Sequence, residues 1–306
     1  MAKLHQSAAA GRKHAGLADF FVRLVKENPL GTVGAIITLL LLFAGIFADS
    51  LAPYGMNDVS AEDRFTPPSA AYWLGTDNLG RDLLSRIIFG ARISMIVGLA
   101  TAAISSIVGL TIGVMSGYIG GKLDLILQRF VDGVMSFPGI VLLMVVMSMV
   151  GVGVLPLIIV VGILMGIGGS RIIRSGVIRI AEDVYIQAAI SIGCPNRRIL
   201  VRHIIPNVLP LMITIFSIQV PEAIIIEASL SFLGFGVPPP APSWGGMLSG
   251  SGRTYMIQAP WMALWPGLAL AIVVYGINMF GDAIRDLLDP RLKGAGRYGR
   301  VKGNVP

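Results

Sequence analysis

Six long apolar runs divide this chain, each close to the length that crosses a lipid bilayer. The first, Gly31–Ala48, holds 18 residues without a charge, enough to span about 30 Å of hydrocarbon as a helix. Five more follow at approximately 92–118, 127–150, 154–170, 206–235 and 262–284. In lipid every backbone N–H and C=O must be bonded internally, so such runs predict helices rather than open strands. With 54% hydrophobic and 13% charged residues over 306 positions, the expected fold is an all-α integral membrane protein with six transmembrane helices. A cleavable signal peptide is the alternative for the first run. The segment before it is long and carries Asp19 and Glu27, so a retained first span is expected.

The net charge of +7 raises the possibility of nucleic-acid binding, but the placement of the charges argues against it. Nineteen of the 24 Lys and Arg residues fall within 3–26, 122–129, 171–202 and 285–302. A six-span chain puts all four segments on one side, as the positive-inside rule requires of cytoplasmic loops. The expected organisation is a cytoplasmic tail 1–29 (Leu17–Val25 partly an interfacial helix), a six-span domain 30–293 and a cytoplasmic tail 294–306. Residues 49–89 and 236–261 are then exterior. Trp261 and Trp265, at the outer edge of the last span, suit an interfacial aromatic belt.

Thr101, Ser105, Gly109, Gly113, Gly117 and Gly121 recur at every fourth position along the second span, and Gly162 and Gly166 repeat that spacing in the fourth. Small residues at this interval let helix backbones approach closely, so packing between spans is expected.

The basic stretch Tyr185–Pro210 is the most specific part of the chain. Tyr185, Ala188, Ala189 and Ile192 share one face of a short helix, and the small alanine pair leaves room for another surface. Gly193 followed by Pro195 is a helix stop. Asn196 is expected to cap a second short helix through Leu200, before Pro206 opens the fifth span. Within that span Glu222 and Glu227 are costly in hydrocarbon and call for a cavity or a partner. Pro221 is expected to break the helical ladder beside them, and Ser229 is grouped with them as a candidate lining of a translocation path. A gate or lining and a buried interhelical hydrogen bond both remain open for the two carboxylates.

Gln187-Ala188-Ala189 with Gly193, Pro195, Arg198 and Pro206 resembles the cytoplasmic EAA-type loop of permease subunits in bacterial and archaeal ABC importers, here over 183–205. It departs from that pattern at Gln187, where the motif has Glu, and at His203, where an apolar residue is usual. The segment Gly75-Thr76-Asp77 through Gly80-Arg81-Asp82 and Arg86 resembles the exterior entry to the second span in peptide-type importers. Gly117–Asp124, Ser229–Gly236 with Ser243-Trp244-Gly245, and Gly281–Asp286 with Asp289-Pro290-Arg291 resemble further segments of the same family.

Together these motifs resemble the second permease subunit of dipeptide, oligopeptide and nickel ABC importers, of type I fold. The resemblance implies a multi-pass protein of the inner or plasma membrane, paired as a heterodimer with a related permease. It also implies two cytoplasmic ATPase subunits, an exterior substrate-binding protein and contact with membrane lipid. On this reading Tyr185, Gln187, Ala188, Ala189, Gly193, Pro195, Arg198 and Pro206 couple to the ATPase. Gly75, Thr76, Asp77, Gly80, Arg81, Asp82 and Arg86 form an exterior clasp, held by pairing of Asp77 and Asp82 with Arg81 or Arg86, where a binding protein docks.

No GxxxxGK[ST] phosphate loop occurs, so ATP chemistry is expected in a partner and no cofactor in this chain. His5, His14 and His203 are dispersed, and one cysteine, Cys194, is present, so neither a metal site nor an internal disulfide is expected. A secondary transporter or a non-transporting membrane scaffold is the alternative reading.

Overall fold

The computed structural model describes residue 22 and residues 24–288. Most of the segment 17–25, both expected tails beyond those bounds and Asp289-Pro290-Arg291 lie outside them. The described residues are helical throughout, apart from loops and one isolated bridge between Thr76 and Asp82. In chain order the helices are α1 (Pro29–Ile46), α2 (Ala48–Leu51), α3 (Leu83–Val114), α4 (Gly121–Met135), α5 (Gly139–Val150) and α6 (Val154–Ala181). There follow α7 (Val184–Ser191), α8 (Asn196–Ile199), α9 (Ile205–Phe232), α10 (Trp244–Ser249), α11 (Ser251–Thr254) and α12 (Trp261–Leu288). A π-helical turn, Met115–Ile119, continues α3, and another, Leu200–Ile204, joins α8 to α9.

Among the described residues five helical segments are long and apolar enough to cross a membrane, and a sixth is counted if α4 and α5 form one bent span. That pair occupies the expected third run, 127–150, but bends by 91° at residues 136–138. Pro138 there adopts an extended backbone, ψ 120°, which ends α4 and restarts the chain as α5.

Other helices outrun the apolar stretches that announce them. Helix α3 begins at Leu83 rather than near 92, because the Asp82 side chain caps it by accepting from the Ser85 amide at 2.8 Å. Its two early arginines are satisfied locally: Arg86 donates to the Met56 carbonyl at 2.9 Å and Arg92 to that of Gly45 at 2.8 Å. Helix α6 runs eleven residues past the expected end at 170, to Ala181. With its π-turn, α3 counts 37 residues, about 55 Å at 1.5 Å per residue, so its ends project beyond a hydrocarbon core of about 30 Å.

Helices α3 and α6 run parallel and touch through the small residues. A Cβ added to Gly162 would stand 2.8 Å from the Ile104 Cβ. One added to Gly166 would meet the Val108 Cβ at 2.7 Å and the Ser105 carbonyl at 2.8 Å. Gly113 and Gly117 abut the Ser170 and Arg174 carbonyls in the same way. The expected seam is an inter-helix contact, and it stops at Gly117. Gly121 has φ +60° and nothing within 4 Å, so it serves a turn instead.

Helix α9 is continuous through Pro221, which is buried inside it, so the expected break is absent. Helices α3, α9 and α12, with Trp244 and Met247 of α10, share one buried apolar cluster. A second, with Ile173, Val177, Ile186, Ile199, Ile204 and Val208, gathers the far ends of α6 and α9 around α7.

Candidate functional site

At the end of the bundle remote from residues 52–82, α7 lies across the feet of α6 and α9. Its seat is Ile186, which is fully buried, together with buried Ile199 and Ile204. The opposite side is bare: Val184 is 85% and Ile192 84% exposed, Tyr185 and Ala188 are exposed, and Ala189 is half-buried. The face on which the small pair was expected therefore points away from the bundle. Spacing alone did not mark Ile186 as the anchor, though as an apolar residue between two exposed ones it carries that signal.

The helix ends as a Schellman motif. The Cys194 amide donates to the Ala189 carbonyl at 3.0 Å and the Gly193 amide to that of Ile190 at 2.9 Å, with Gly193 at φ +77°. Gln187 has a structural use. Its Nε2 donates to the Ala181 carbonyl at 2.9 Å, at the C-terminus of α6, a bond that an ionised carboxylate could not donate. The ring of His203 meets Tyr185 edge-on with centroids 6.2 Å apart, and Asn207 Nδ2 donates to the Tyr185 hydroxyl at 3.0 Å. Pro195, Arg198 and Pro206 are exposed. Asn196 does not cap α8; its Oδ1 accepts from the Tyr118 hydroxyl at 3.0 Å.

Above α7 a polar knot ties three elements. Arg174 of α6 bonds Asp124 of α4 through Nε at 2.7 Å and Nη2 at 2.6 Å, and its Nε also reaches Ser116 at 3.1 Å. Gln128 donates to the Ser116 hydroxyl at 2.9 Å. The sequence marks Asp124 only as part of a turn motif, because its partner lies 50 residues away.

At the other end, residues 52–82 fold into a lobe against the starts of α3 and α12. Asp77 is its hub: it accepts from the Leu79 and Arg81 amides at 2.8 and 3.1 Å and from Arg81 Nε at 2.7 Å, with Arg86 Nε 3.8 Å away. Asp82 pairs with no arginine among the described residues and is committed to the cap of α3. Gly75 and Gly80 have φ +80° and +75°, and Gly80 packs on the Ser60 carbonyl. Trp261 Nε1 donates to the Thr76 carbonyl at 3.1 Å, and Trp244 Nε1 to that of Ile87 at 3.1 Å. Trp261 thus braces the lobe. Thr76, Asp77, Asp82 and Arg86 are all buried, which makes them the lobe's interior. Around them, Ser60 and Tyr72 hydroxyls donate to the Asp63 carboxylate at 2.6 and 2.9 Å and hold it below the usual carboxylate range.

The two carboxylates of α9 part company. Glu227 is fully buried and accepts from the Ser231 hydroxyl at 2.7 Å. Ser231 in turn receives the Val237 amide at 3.0 Å, so this chain of bonds fastens the loop after α9. Glu222 is exposed to a cavity of about 510 Å³ whose other walls include Met135, Gly139, Gly169, Ile218 and Gln219. Ser229 bonds its own helix at the Ile225 carbonyl, 2.8 Å, and lines neither this cavity nor the Glu227 contact.

Residues 109–294 match the family model described as binding-protein-dependent transport system inner membrane component. The chain belongs to that family. Residues 17–68 match the N-terminal transmembrane domain of oligopeptide transport permease C. The glutathione transport system permease protein GsiD of Pectobacterium atrosepticum is 37% identical over 276 residues, covering 90% of this chain and 91% of that one. The dipeptide transport system permease protein DppC of Alkalihalophilus pseudofirmus is 38% identical over 269 residues, 88% of each. The MetNI methionine ABC transporter, solved in inward-facing conformations, aligns with a TM-score of 0.54 at 19% identity, over 67% of this chain and 96% of that chain. At that identity it shows the fold alone. The chain is accordingly a multi-pass inner-membrane permease subunit of an ABC importer, and membership implies ATPase, binding-protein and second-permease partners. A self-sufficient secondary transporter is set aside.

Proposed function

We propose that this permease is one of two related subunits that together enclose a path for short peptides. Two cytoplasmic ATPases belong to the assembly and act on this subunit through α7, and an exterior binding protein delivers solute at the lobe of residues 52–82. ATP chemistry belongs to the partners, consistent with the lack of a phosphate loop. The observation that carries the reading is α7 itself. A helix seated by Ile186 but left with Val184, Ala188 and Ile192 bare is built to receive another protein surface, since exposed apolar patches of this kind mark contacts. Dipeptides and glutathione, the solutes named for the relatives, are both short peptides, which supports that substrate class over nickel. The path is placed along the Glu222 face of α9, with Glu227 fastening the exterior loop. The clasp residues act by shaping the docking lobe from within.

Both termini and α7 face the cytoplasm on this reading, as the distribution of Lys and Arg favours. Uptake of labelled dialanine and glutathione by a strain lacking the operon, then restored with all its subunits, tests the substrate. Absence of ATP-dependent uptake of either would remove the peptide reading. For sidedness, Ser60→Cys and Ser251→Cys in a Cys194→Ser background should react with impermeant reagent in intact cells, and Arg198→Cys should not. The reverse pattern would invert the topology.

A further inference from the structure

One unpartnered carboxylate opens on the cavity between α4–α5, α6 and α9, and one unpartnered amide oxygen lies buried in its wall. The Glu222 carboxylate makes no hydrogen bond or ion pair among the described residues. Gln219, 7% exposed, lines the same cavity, and its occluded Oε1 has no donor among the described residues. Residues three apart on one helix share a face, so both residues line the same space, with the Gln219 oxygen set back in its wall. Across from them Gly168 and Gly169 of α6 carry no side chain to fill it, and a Cβ on Gly169 would stand 3.1 Å from Gln219 Nε2. The rest of the wall is largely apolar, with Met135, Ile140, Leu143 and Ile226 among its residues. The α6 arginines Arg171 and Arg174 are already engaged by Asp132 and Asp124, so they do not neutralise Glu222.

A carboxylate and an amide oxygen in an apolar wall accept only, and buried acceptors demand donors. An ammonium group supplies three N–H donors and the complementary charge. A solute carboxylate would meet like charge and be disfavoured. A divalent metal would find one carboxylate and one amide oxygen, well short of about six oxygen ligands.

We propose that Glu222 and Gln219 form a subsite for a protonated amine of the solute as it passes through this permease. The proposal rests on the reading that the cavity lies on the translocation path. It names the amine end of the solute as what the cavity holds, and the second permease as closing the cavity without inserting a cation of its own.

The test uses the complete transporter in proteoliposomes, with Ile218→Cys as a reporter in the Cys194→Ser background. Ile218 lines the cavity one turn before Glu222. The reaction rates of a trimethylammonium methanethiosulfonate and of its anionic sulfonate counterpart are compared. The cation-to-anion rate ratio should fall about tenfold on Glu222→Gln, as loss of one unit charge nearby in a medium of intermediate dielectric implies. It should be retained on Glu222→Asp. An unchanged ratio on Glu222→Gln would overturn the subsite, and so would the absence of any cation preference, the result if an arginine or lysine of the second permease occupied Glu222. Trialanine uptake by the unsubstituted transporter is measured in parallel. Its absence would sink the peptide reading, while the reagent ratio would still decide the subsite.

Discussion

Arg174 grips Asp124 through two nitrogens, at 2.7 and 2.6 Å, and so locks the foot of α6 to that of α4. The pair lies about two turns before the end of α6 at Ala181, ahead of the segment that leads into α7, where a shift of α6 would be passed on. Planar guanidinium–carboxylate contact of this kind is directional as well as attractive. Both side chains keep some exposure, 30% and 21%, so solvent screening limits the pair to about 1 kcal/mol. A double-mutant cycle with Asp124→Asn and Arg174→Gln, read by thermal unfolding in detergent, should return an interaction energy of that size. An energy indistinguishable from zero would mean the contact does not hold α4 against α6.

The exposed side of α7 and its buried side should fail differently. Ala189→Arg places a long charged side chain on the bare face, and transport and ATPase co-purification should drop sharply while membrane insertion stays normal. Ile186→Ala empties the seat instead, at a cost of about 2–5 kcal/mol by analogy with other buried aliphatic truncations, and thermal unfolding should move with it. Gly193→Val strains the terminal turn by about 1–2 kcal/mol. Normal uptake by Ala189→Arg at normal expression would remove α7 as the ATPase contact.

Glycines in the α3–α6 seam should be intolerant and those facing open space tolerant. A Cβ at position 166 meets the Ser105 carbonyl, whereas at 133 or 139 it meets nothing within 4 Å. Gly166→Leu should abolish stable accumulation in the membrane, and Gly139→Ala should leave it intact, as measured by quantitative blotting of membranes. Equal accumulation of the two variants would contradict the seam.

The lobe of residues 52–82 should loosen in acid. Hydrogen bonds from Ser60 and Tyr72 lower the Asp63 pKa in the folded state. Its stabilising contribution is therefore present above the unfolded carboxylate pKa and is lost as pH falls through the lower folded value. Limited proteolysis of the lobe should accelerate below the ordinary carboxylate range, and Asp63→Asn should flatten that dependence. A profile identical in Asp63→Asn would assign the acid sensitivity to another group.

Apolar runs place the spans because hydrocarbon selects for them, but they mark where a helix is greasy and not where it ends. Helix α6 continues to Ala181 through Arg171, Arg174 and Arg179, whose charges stand beyond the apolar stretch, and α3 starts nine residues early because Asp82 caps it. The bend at Pro138 was legible in principle. An unbroken hydropathy signal concealed it, since a bent pair and a straight span bury similar side chains. Local signals served α7 well: Gly193 and Pro195 stop the helix where chain chemistry says they must. What spacing could not supply was tertiary partnership. Asn196 looks like a cap and instead answers Tyr118. Glu222 and Glu227, five residues apart, differ only in what the rest of the fold brings to each.

The Gly162 and Gly166 contacts leave no cushion of side chains between α3 and α6. A lone helix flexes under load, but two bonded face to face along four turns behave as a laminated strut, far stiffer in bending than either ply. Displacement entering at the α7 end would then arrive at the lobe end, about 55 Å away along α3, with little absorbed in transit. Compliance is left to the unlaminated elbow, where α4 meets α5 at 91° beside the cavity that holds Glu222.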